Sequence, residues 1–428
     1  MSAPLHVAVI GAGIVGACSA WELLKDGHRI TFIEPGTPGG EQAASYGNGA
    51  WLSPSSVVPM SMPGLWKKVP GYLLDQSGPL TIRPRDLPAL TPWLIRFMRA
   101  GSTVARVETT ARALSALLHD APARHAALAA EIGRPELVVQ NGLLYAYPSR
   151  TEFEGEALAW RLRRDNGVMW QELDRSDLAQ LVPDLGPSYQ FGAYVRAGAH
   201  CANPGHYVAA IVAACQRRGA VIASRTATGF VLQAGRLRAV RTDEGDISCD
   251  RAVIAAGIRS AALARAAGDL IPLAAERGYH VVIPKPGIHL PVPVMPSDGK
   301  MANTSTNTGF RASGQVELAH PDAPPNWRRA EILLERALAA YPNMAEGLDR
   351  STVKRWMGHR PSTPDGLPVL GPASGCADVL HAYGHGHVGL AAGAVSGRVV
   401  ADLLGGGPIS VPIQALAPAR FGRTQSCN

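Results

Sequence analysis

HVAVIGAGIVGACSAWELL, residues 6–24, is the stretch that decides the fold. HVAVI at 6–10 has the short apolar run of a buried strand, and GAGIVG at 11–16 forms a glycine-rich turn. A helix-like run follows, and a second strand at 29–33 ends in Glu34. This order of strand, glycine turn, helix, strand and acid is typical of a dinucleotide-binding unit.

Each residue of this pattern has a physical role. Gly11 allows the tight turn, Gly13 lets backbone N–H groups approach a pyrophosphate, and Gly16 lets the helix pack closely on the strand. The pyrophosphate then lies at a helix N-terminus, where unpaired N–H groups and the dipole favour negative charge. Glu34 is placed to accept hydrogen bonds from ribose hydroxyls and disfavours a 2′-phosphate there. The alternative is a tight strand-to-helix turn without a ligand.

Length and composition indicate a large globular protein. A chain of 428 residues with 46% hydrophobic residues is long enough for two intertwined domains. The net charge of +7 is spread along the chain, whereas a nucleic-acid-binding protein usually has a concentrated basic stripe. We therefore expect no nucleic-acid partner, and an anionic substrate is compatible with the charge.

The cysteines and the apolar segments bear on location. Six scattered cysteines without a CxxC pair indicate reduced thiols in the cytoplasm. The first strand begins too early for a cleavable signal before it, and no stretch reaches the roughly 20 apolar residues of a membrane span. The best candidate, near 389–404, is interrupted by Arg398 and Asp402. We expect a cytoplasmic protein, with the inner face of the cell membrane as an alternative location.

Five segments, in order, resemble one family over nearly the whole length. They are VAVIGAGIVG with Glu34, SYGNGAWLSP at 45–54, VIAAGIRS at 253–260, WMGHRPSTPDGLPVLG at 356–371 and GHGHVGLAAGAVSGRVVADLL at 384–404. The last two are far more specific than the glycine turn. Together they resemble the FAD-dependent D-amino-acid oxidase superfamily, and more narrowly its D-amino-acid dehydrogenase branch.

The resemblance implies an α/β fold. A Rossmann-like FAD-binding domain of the glutathione-reductase type is interleaved with a substrate domain built on a mixed sheet. We expect the FAD-binding domain at 1–85, 200–265 and 350–428, and the substrate-binding domain at 86–199 and 266–349.

The same resemblance, with the glycine pattern, implies which residues contact FAD. They are Gly11, Gly13, Ile14, Val15, Gly16, Glu34, Pro35, Ser45, Asn48, Gly49, Ala255, Ala256, Gly257, Gly384, His385, Gly386, His387, Val388, Gly389 and Leu390. Some relatives attach FAD through a cysteine near the carboxylate-binding arginine. Residues 356–371 contain no cysteine and Cys376 lies outside the matching positions, so we expect non-covalent FAD.

Arg360 and Tyr279 are the first candidates for the substrate site. A guanidinium offers a planar, permanently charged fork that matches a carboxylate. In the family an arginine in the Arg-Pro segment before the TPDG turn holds the substrate carboxylate, and Arg360 with Pro361 matches it. The alternative is a structural arginine paired with Asp365 or a carbonyl. Tyr279 lies where the family often has a pocket tyrosine, and a core aromatic is the alternative.

Four further residues are weaker candidates. Arg311 matches a family arginine, although it can equally brace a turn. His385 and His387 are expected to form a polar wall over the flavin, with His387 counted among the catalytic candidates and a surface turn as the alternative. His280 is a further pocket candidate. The HxH pattern lacks a third ligand, so we expect no metal.

The chemistry implied is oxidative deamination of D-amino acids by hydride transfer from Cα to flavin N5, releasing 2-oxo acids and ammonia, with a quinone or similar electron acceptor. Three alternatives are open: a dehydrogenase or oxidase of cyclic or N-substituted amino acids such as D-proline, D-hydroxyproline, sarcosine or glycine, a non-catalytic FAD-binding subunit, and an NAD-linked dehydrogenase. Neither the oligomeric state nor the choice between oxidase and dehydrogenase follows from the sequence.

The apolar segment LTPWLIRFMR at 90–99 has two interpretations. It forms either a hydrophobic lid or core helix, or a surface that contacts a membrane peripherally to reach a quinone.

Overall fold

The computed structural model describes residues 4–67, 71, 78 and 80–422. The strands, in chain order, are β1 (His6–Ile10), β2 (Arg29–Ile33), β3 (Trp51–Leu52), β4 (Leu80–Ile82), β5 (Val138–Val139), β6 (Leu143–Tyr147), β7 (Gln171–Leu173), β8 (Phe191–Val195), β9 (Ala199–Cys201), β10 (Val221–Ala223), β11 (Ala227–Gln233), β12 (Arg236–Thr242), β13 (Ile247–Ser248), β14 (Arg251–Ile254), β15 (Ala274–Ile283), β16 (Val294–Pro296), β17 (Ala302–Thr306), β18 (Gly309–Leu318), β19 (Lys354–Ser362), β20 (Val369–Pro372) and β21 (Val379–Tyr383).

The α-helices are α1 (Ile14–Lys25), α2 (Leu87–Ala100), α3 (Val104–Leu118), α4 (Ala121–Glu131), α5 (Arg150–Gly155), α6 (Ala157–Asp165), α7 (Arg175–Leu181), α8 (Pro204–Arg217), α9 (Ser260–Ala266), α10 (Arg328–Ala340), α11 (Gly389–Gly405) and α12 (Ile413–Leu416). Short 3-10 turns, among them Gly386–Val388 before α11, connect some of them.

A six-stranded sheet, in the order β10-β2-β1-β14-β21-β20, holds the glycine turn. Its strands are parallel except for β20, which runs antiparallel to β21. The central strands β1 and β14 are apolar on both faces, as expected for parallel strands covered on both sides. The carboxyl ends of β1, β2 and β14 therefore lie together at the edge where the glycine turn begins.

A larger, mostly antiparallel sheet forms the second layer. Its order is β19-β15-β18-β17-β16-β6-β8-β7, with β4 added beside β18. Helix α10 packs on one face of this sheet through an apolar cluster that includes Leu333 and Leu334. The other face carries polar groups, among them Glu276, His280 and Arg311, which bear on the site. The division into two domains at the predicted boundaries stays a prediction.

The largest apolar core lies around α1 and α11. These two helices approach closely because Gly393 and Gly397 leave room, and a Cβ on Gly397 would lie 2.6 Å from the backbone carbon of Cys18. Among the described residues, one segment, Gly386–Gly405, is long enough and apolar enough to cross a membrane. Most of this segment is buried inside the protein. The five described cysteines are buried and free, and Cys427 lies outside the described residues.

Most predicted elements are present, with different limits. The segment around 90–99 is helix α2, in which Trp93 is buried and donates its Nε1–H to the carbonyl of Ser362 at 3.1 Å, while Ile95 is 63% exposed. The strand expected at 279–283 begins at Ala274, because Arg277 and Glu276 are held by the neighbouring strands on both sides. This earlier start matters because it places Glu276 inside the sheet.

Candidate active site

Two glycines of the turn after β1, Gly11 and Gly16, have no room for side chains. Gly11 has a φ of +100°, and a Cβ there would lie 2.5 Å from the carbonyl oxygen of Ala255. A Cβ on Gly16 would overlap the carbonyl of Gly11. Gly13 is the N-cap of α1 and gives no side-chain cap, while the Ile14 N–H donates to Ser45 Oγ at 3.1 Å. Because Gly13 itself provides no cap, the helix dipole and the remaining N–H groups at the start of α1 favour an anionic group such as a pyrophosphate.

Glu34 lies at the end of β2, beside this turn. Its Oε2 accepts a hydrogen bond from the Ala12 N–H at 2.9 Å, and its Oε1 accepts one from the Gly36 N–H at 3.0 Å. Each carboxylate oxygen keeps a further lone pair, so the side chain can still accept bonds from ribose hydroxyls. Pro35 follows directly and starts the loop to residue 45.

The strand end at 255–257 faces the glycine turn from the neighbouring strand. The Ala255 N–H donates to the Ile10 carbonyl at 2.8 Å, which holds this strand end beside β1. Gly257 has a φ of +57°, and small side chains at Ala255 and Ala256 keep the surface flat. The structure thus brings the first and third predicted segments together.

The loop at 45–50 is predicted from the sequence to lie against a ligand. Side chains of the large sheet hold this loop by hydrogen bonds to its backbone carbonyls. Arg311 Nη1 donates to the carbonyls of Tyr46 and Asn48, each at 2.9 Å, and His280 Nδ1 contacts the Gly47 carbonyl at 3.2 Å. A Cβ on Gly47 would overlap the Trp356 ring. Arg311 and His280 therefore hold the loop, and neither lines the cleft described below.

Burial lowers the pKa values of both His280 and Arg311. Desolvation lowers the pKa of His280 to about 3, with the nearby Arg311 charge acting in the same direction. Desolvation lowers the pKa of Arg311 to about 10, which leaves it charged at neutral pH. The ring of His280 stacks on Trp356 at a centroid distance of 5.0 Å, as a neutral aromatic would.

The C-terminal turn closes the other side of the site. Gly384 and Gly386 have φ values of +84° and +52°, so the chain turns sharply between β21 and α11. His385 is buried and its Nε2 contacts Ser396 Oγ at 2.9 Å. Asn48 Nδ2 donates to the His387 carbonyl at 3.4 Å, which joins this turn to the 45–50 loop. Val388, Gly389 and Leu390 then begin the last long helix.

A cleft that is partly open to solvent lies between these parts. The lining residues are Val58, Pro59, Met60, Ser61, Phe97, Ala100, Thr110, Leu114, Glu276, Ser362, Thr363, Pro364, Asp365, Gly366, Gly384, His385, Gly386, His387 and Val388. The cleft thus combines apolar side chains with a few polar ones, as small-molecule sites do. His387 lines this cleft, and desolvation and then the Arg360 charge lower the pKa of its imidazole.

Arg360 lies on β19, directly opposite Glu276 on β15. Its guanidinium leans over Gly278, where a Cβ would overlap Cζ, and its Nη1 donates to the Gln315 carbonyl at 3.1 Å. Arg360 forms no salt bridge with the described residues. Of the alternative partners expected for a structural arginine, Asp365 pairs instead with Arg420 at 2.8 Å, whereas backbone carbonyls do accept hydrogen bonds from Arg360.

Glu276 is the functional candidate that sequence reasoning missed. It is 6% exposed and lines the cleft. Desolvation raises the pKa of this carboxyl, while the Arg360 charge and the nearby Ser362 hydroxyl act in the opposite direction. The predicted strand began at 279 and so left Glu276 outside the sheet, whereas the observed strand begins at Ala274 and pairs Glu276 with Arg360.

Tyr279 lies on the other face of the same sheet. Its hydroxyl donates to Glu317 Oε2 at 2.6 Å and accepts the Asn326 N–H at 3.0 Å, within the apolar cluster under α10. Since neighbouring positions of a strand point to opposite faces, Glu276 and His280 face the loop and cleft while Tyr279 does not. The structure therefore does not bring Tyr279 together with Arg360 and His387.

No metal-binding arrangement is found near the histidines. Within residues 4–67, 71, 78 and 80–422, no group of three or more His, Cys, Asp or Glu is positioned to share a metal ion.

Fold and site together define a dinucleotide-binding α/β protein with a small-molecule cleft, and the comparisons with known proteins specify which kind. Residues 6–403 match the family model DAO, described as FAD dependent oxidoreductase. The chain belongs to this family of FAD-dependent enzymes.

Two curated relatives match almost end to end. A D-amino-acid oxidase of Bradyrhizobium diazoefficiens is 50% identical over 97% of this chain and 99% of its own length. A D-amino acid dehydrogenase of Paramagnetospirillum magneticum is 30% identical over 97% of this chain and 99% of its own length. Among solved structures, glycine oxidase from Geobacillus kaustophilus shares the fold, with a TM-score of 0.73 at 21% identity over 98% of this chain and 99% of that chain.

The residues present fit FAD. Gly13 supplies no side-chain cap to α1, Gly11 and Gly16 admit no Cβ, and Glu34 keeps free lone pairs. The residues that would hold the cofactor are those of the glycine turn, the 45–50 loop, the strand end at 255–257 and the turn at 384–390. When bound, FAD supplies a two-electron acceptor that no side chain can replace.

Proposed function

We propose that this protein catalyses the oxidative deamination of D-amino acids to 2-oxo acids and ammonia, using non-covalently bound FAD. The observation that carries the proposal is Arg360, a guanidinium beside the cleft that forms no salt bridge with the described residues. Such a cation is matched by the substrate's carboxylate. The names of the two curated relatives, one an oxidase and one a dehydrogenase of D-amino acids, support this substrate class.

The chain's residues act mainly by orientation. Arg360 binds the carboxylate, which fixes how Cα points, and reacting atoms held at about 3 to 3.5 Å gain much of the rate from alignment alone. His385 and His387 form the polar wall of the cleft. The apolar residues Phe97 and Leu114 exclude water from the substrate side chain. The product imine is then hydrolysed by water to the 2-oxo acid and ammonia.

The test is anaerobic bleaching of the flavin by a panel of D- and L-amino acids, with D-proline, sarcosine and glycine included. We expect bleaching by D-amino acids and none by their L-enantiomers at equal concentration. Bleaching by no amine would favour a non-catalytic FAD-binding subunit, and a colourless preparation would favour an NAD-linked enzyme.

Non-covalent attachment has its own support and test. Cys376 is buried and donates to the Gly235 carbonyl at 3.5 Å, and it does not line the cleft. We expect acid precipitation to release all of the flavin into the supernatant. A yellow pellet would contradict this.

A quinone or similar molecule is the proposed electron acceptor, reached at the membrane surface. Helix α2 supports this because Leu87 and Ile95 are exposed beside the basic residues Arg96 and Arg99. We expect the protein to float with anionic vesicles and a Leu87→Ser, Ile95→Ser variant to remain in solution. Flavin reoxidation by oxygen as fast as by a quinone analogue would instead indicate an oxidase. The cytoplasmic location stays a prediction.

A further inference from the structure

Glu276 is a carboxylate in the cleft that the mechanism above does not use. It is 6% exposed, and it forms no salt bridge with the residues that the structure describes. We infer that Glu276 receives the amino end of the substrate and takes the proton of its ammonium group. This inference rests on the proposed function and names a further catalytic residue for it.

The register of the sheet places the charges of Glu276 and Arg360 side by side, as the two opposite charges of an amino acid require. Glu276 and Arg360 are directly opposite on antiparallel strands, so their side chains leave the same face. They do not bridge each other, because the Arg360 guanidinium leans over Gly278 towards the carbonyls of Gly314 and Gln315. An amino acid carries its carboxylate and its ammonium on one carbon, and such a molecule matches an unbridged cation and anion side by side.

In the part of the chain that the structure describes, four charged or titratable residues lie in or beside the cleft around Glu276. Arg360 comes from the neighbouring strand, His385 and His387 from the C-terminal turn, and Asp365 from the turn after β19. Asp365 is already paired with Arg420, and His385 contacts Ser396. The α2 and α3 residues that line the cleft, Phe97, Ala100, Thr110 and Leu114, carry no charge.

The chemistry requires such a base. Hydride can leave Cα only when the nitrogen lone pair is free to form the imine double bond, and an ammonium group has no free pair. In the proposed step an N–H bond of the ammonium breaks and an O–H bond forms on Glu276, so a carboxylate and an ammonium become a carboxylic acid and an amine. Desolvation raises the pKa of Glu276 towards the working pH, where a general base is most effective.

The first test is the pH dependence of anaerobic flavin reduction in wild type and Glu276→Gln. Loss of a general base lowers the rate roughly 10²- to 10⁴-fold at neutral pH. We expect the Glu276→Gln rate to rise tenfold per pH unit until it approaches wild type near the pKa of the substrate's own ammonium group. Glu276→Asp, which keeps a carboxylate, should restore much of the neutral-pH rate, and the exposed Glu346→Gln is the matched control.

The second test does not depend on turnover. Propionate has the carboxylate of an amino acid but no amino group, so a charged Glu276 repels it. We expect its dissociation constant in wild type, followed by the flavin absorbance, to increase as pH rises through the pKa of Glu276. In Glu276→Gln propionate should bind more tightly, with that pH dependence lost.

The outcomes separate this inference from the proposed function. If wild-type flavin is reduced by D-amino acids and Glu276→Gln has the same pH–rate profile and the same propionate binding, the inference is overturned alone. If no amine reduces wild-type flavin, the proposed function fails and the inference fails with it.

Discussion

Gly278 is the residue that sets the position of the Arg360 guanidinium. The guanidinium lies over the bare Cα, and a methyl group there would overlap Cζ. Arg360 would then have to leave the carbonyls of Gly314 and Gln315 that now orient it.

We therefore expect Gly278→Ala to weaken substrate binding at least tenfold, because the carboxylate fork is displaced while its charge remains. The measurement is KM for the best D-amino acid together with the dissociation constant of propionate. Gly229→Ala is the control, because Gly229 also lies in a strand and a Cβ there meets nothing within 4 Å. Equal effects of the two substitutions would contradict the role assigned to Gly278.

Among single residues, the sequence predicts best those that belong to a recognisable motif. Arg360 is predicted from its Arg-Pro motif, and in the structure it lies opposite Glu276, which lines the cleft. Tyr279 and Glu276 show why other residues are harder. The face of the sheet that a side chain occupies depends on the register in which its strand pairs with the neighbouring strands. A change of that register by one residue moves every side chain of the strand to the other face. Arg311 and His280 are predicted to bind the substrate, whereas in the structure their partners are backbone carbonyls of the 45–50 loop, which no sequence pattern reveals.

Helices α1 and α11 depend on glycine for their close approach. Gly397 contacts the backbone of Cys18, and Gly393 contacts Ile14, so larger side chains would push the two helices apart. Because α1 also carries the glycine turn at its N-terminus, the spacing of this pair fixes the predicted pyrophosphate site.

We expect Gly397→Ala to lower the free energy of unfolding by about 1 to 3 kcal/mol through overpacking. Gly405→Ala, at the free end of the same helix, meets no neighbour and should leave the stability unchanged or raise it by up to about 1 kcal/mol. Urea unfolding of the two holoproteins gives the comparison, and a loss of stability in Gly405→Ala equal to that in Gly397→Ala would argue against this packing account.

Helices and strands with a clear period were predicted well, and element limits were not. The predicted helix over 104–132 is two helices, α3 and α4, because the chain turns at His119 and Asp120. The strand predicted at 279–283 is twice as long in the structure, because its first residues, AAERG, show no alternation of apolar and polar residues that would mark them as strand.

The molecule as a whole brings distant segments around one ligand. The glycine turn, the 45–50 loop, the strand end at 255–257 and the turn at 384–390 are far apart in sequence, and hydrogen bonds such as Asn48 to the His387 carbonyl join them. The order of these segments follows from the motifs, whereas their contacts depend on sheet order, which a single sequence does not contain.

A ligand that contacts four such segments must stabilise the folded chain. At a free FAD concentration about 1,000 times its dissociation constant, we expect a gain of about 4 kcal/mol in the free energy of unfolding. Thermal unfolding of apoprotein titrated with FAD measures this. A midpoint that does not change with FAD concentration would contradict the predicted binding site.

The central claim is that Arg360 binds the substrate's carboxylate while the flavin accepts the electrons. The most direct measurement is the rate constant of anaerobic flavin reduction, divided by the substrate dissociation constant, in wild type and Arg360→Met. Two substrates are compared: the fastest D-amino acid and the amine that remains when its carboxylate is removed. Losing one partner of a buried charge pair costs about 2 to 5 kcal/mol, so the D-amino acid should become about 30- to 5,000-fold slower. The amine should be unaffected, and an equal loss for both substrates, or no loss for either, would contradict the account.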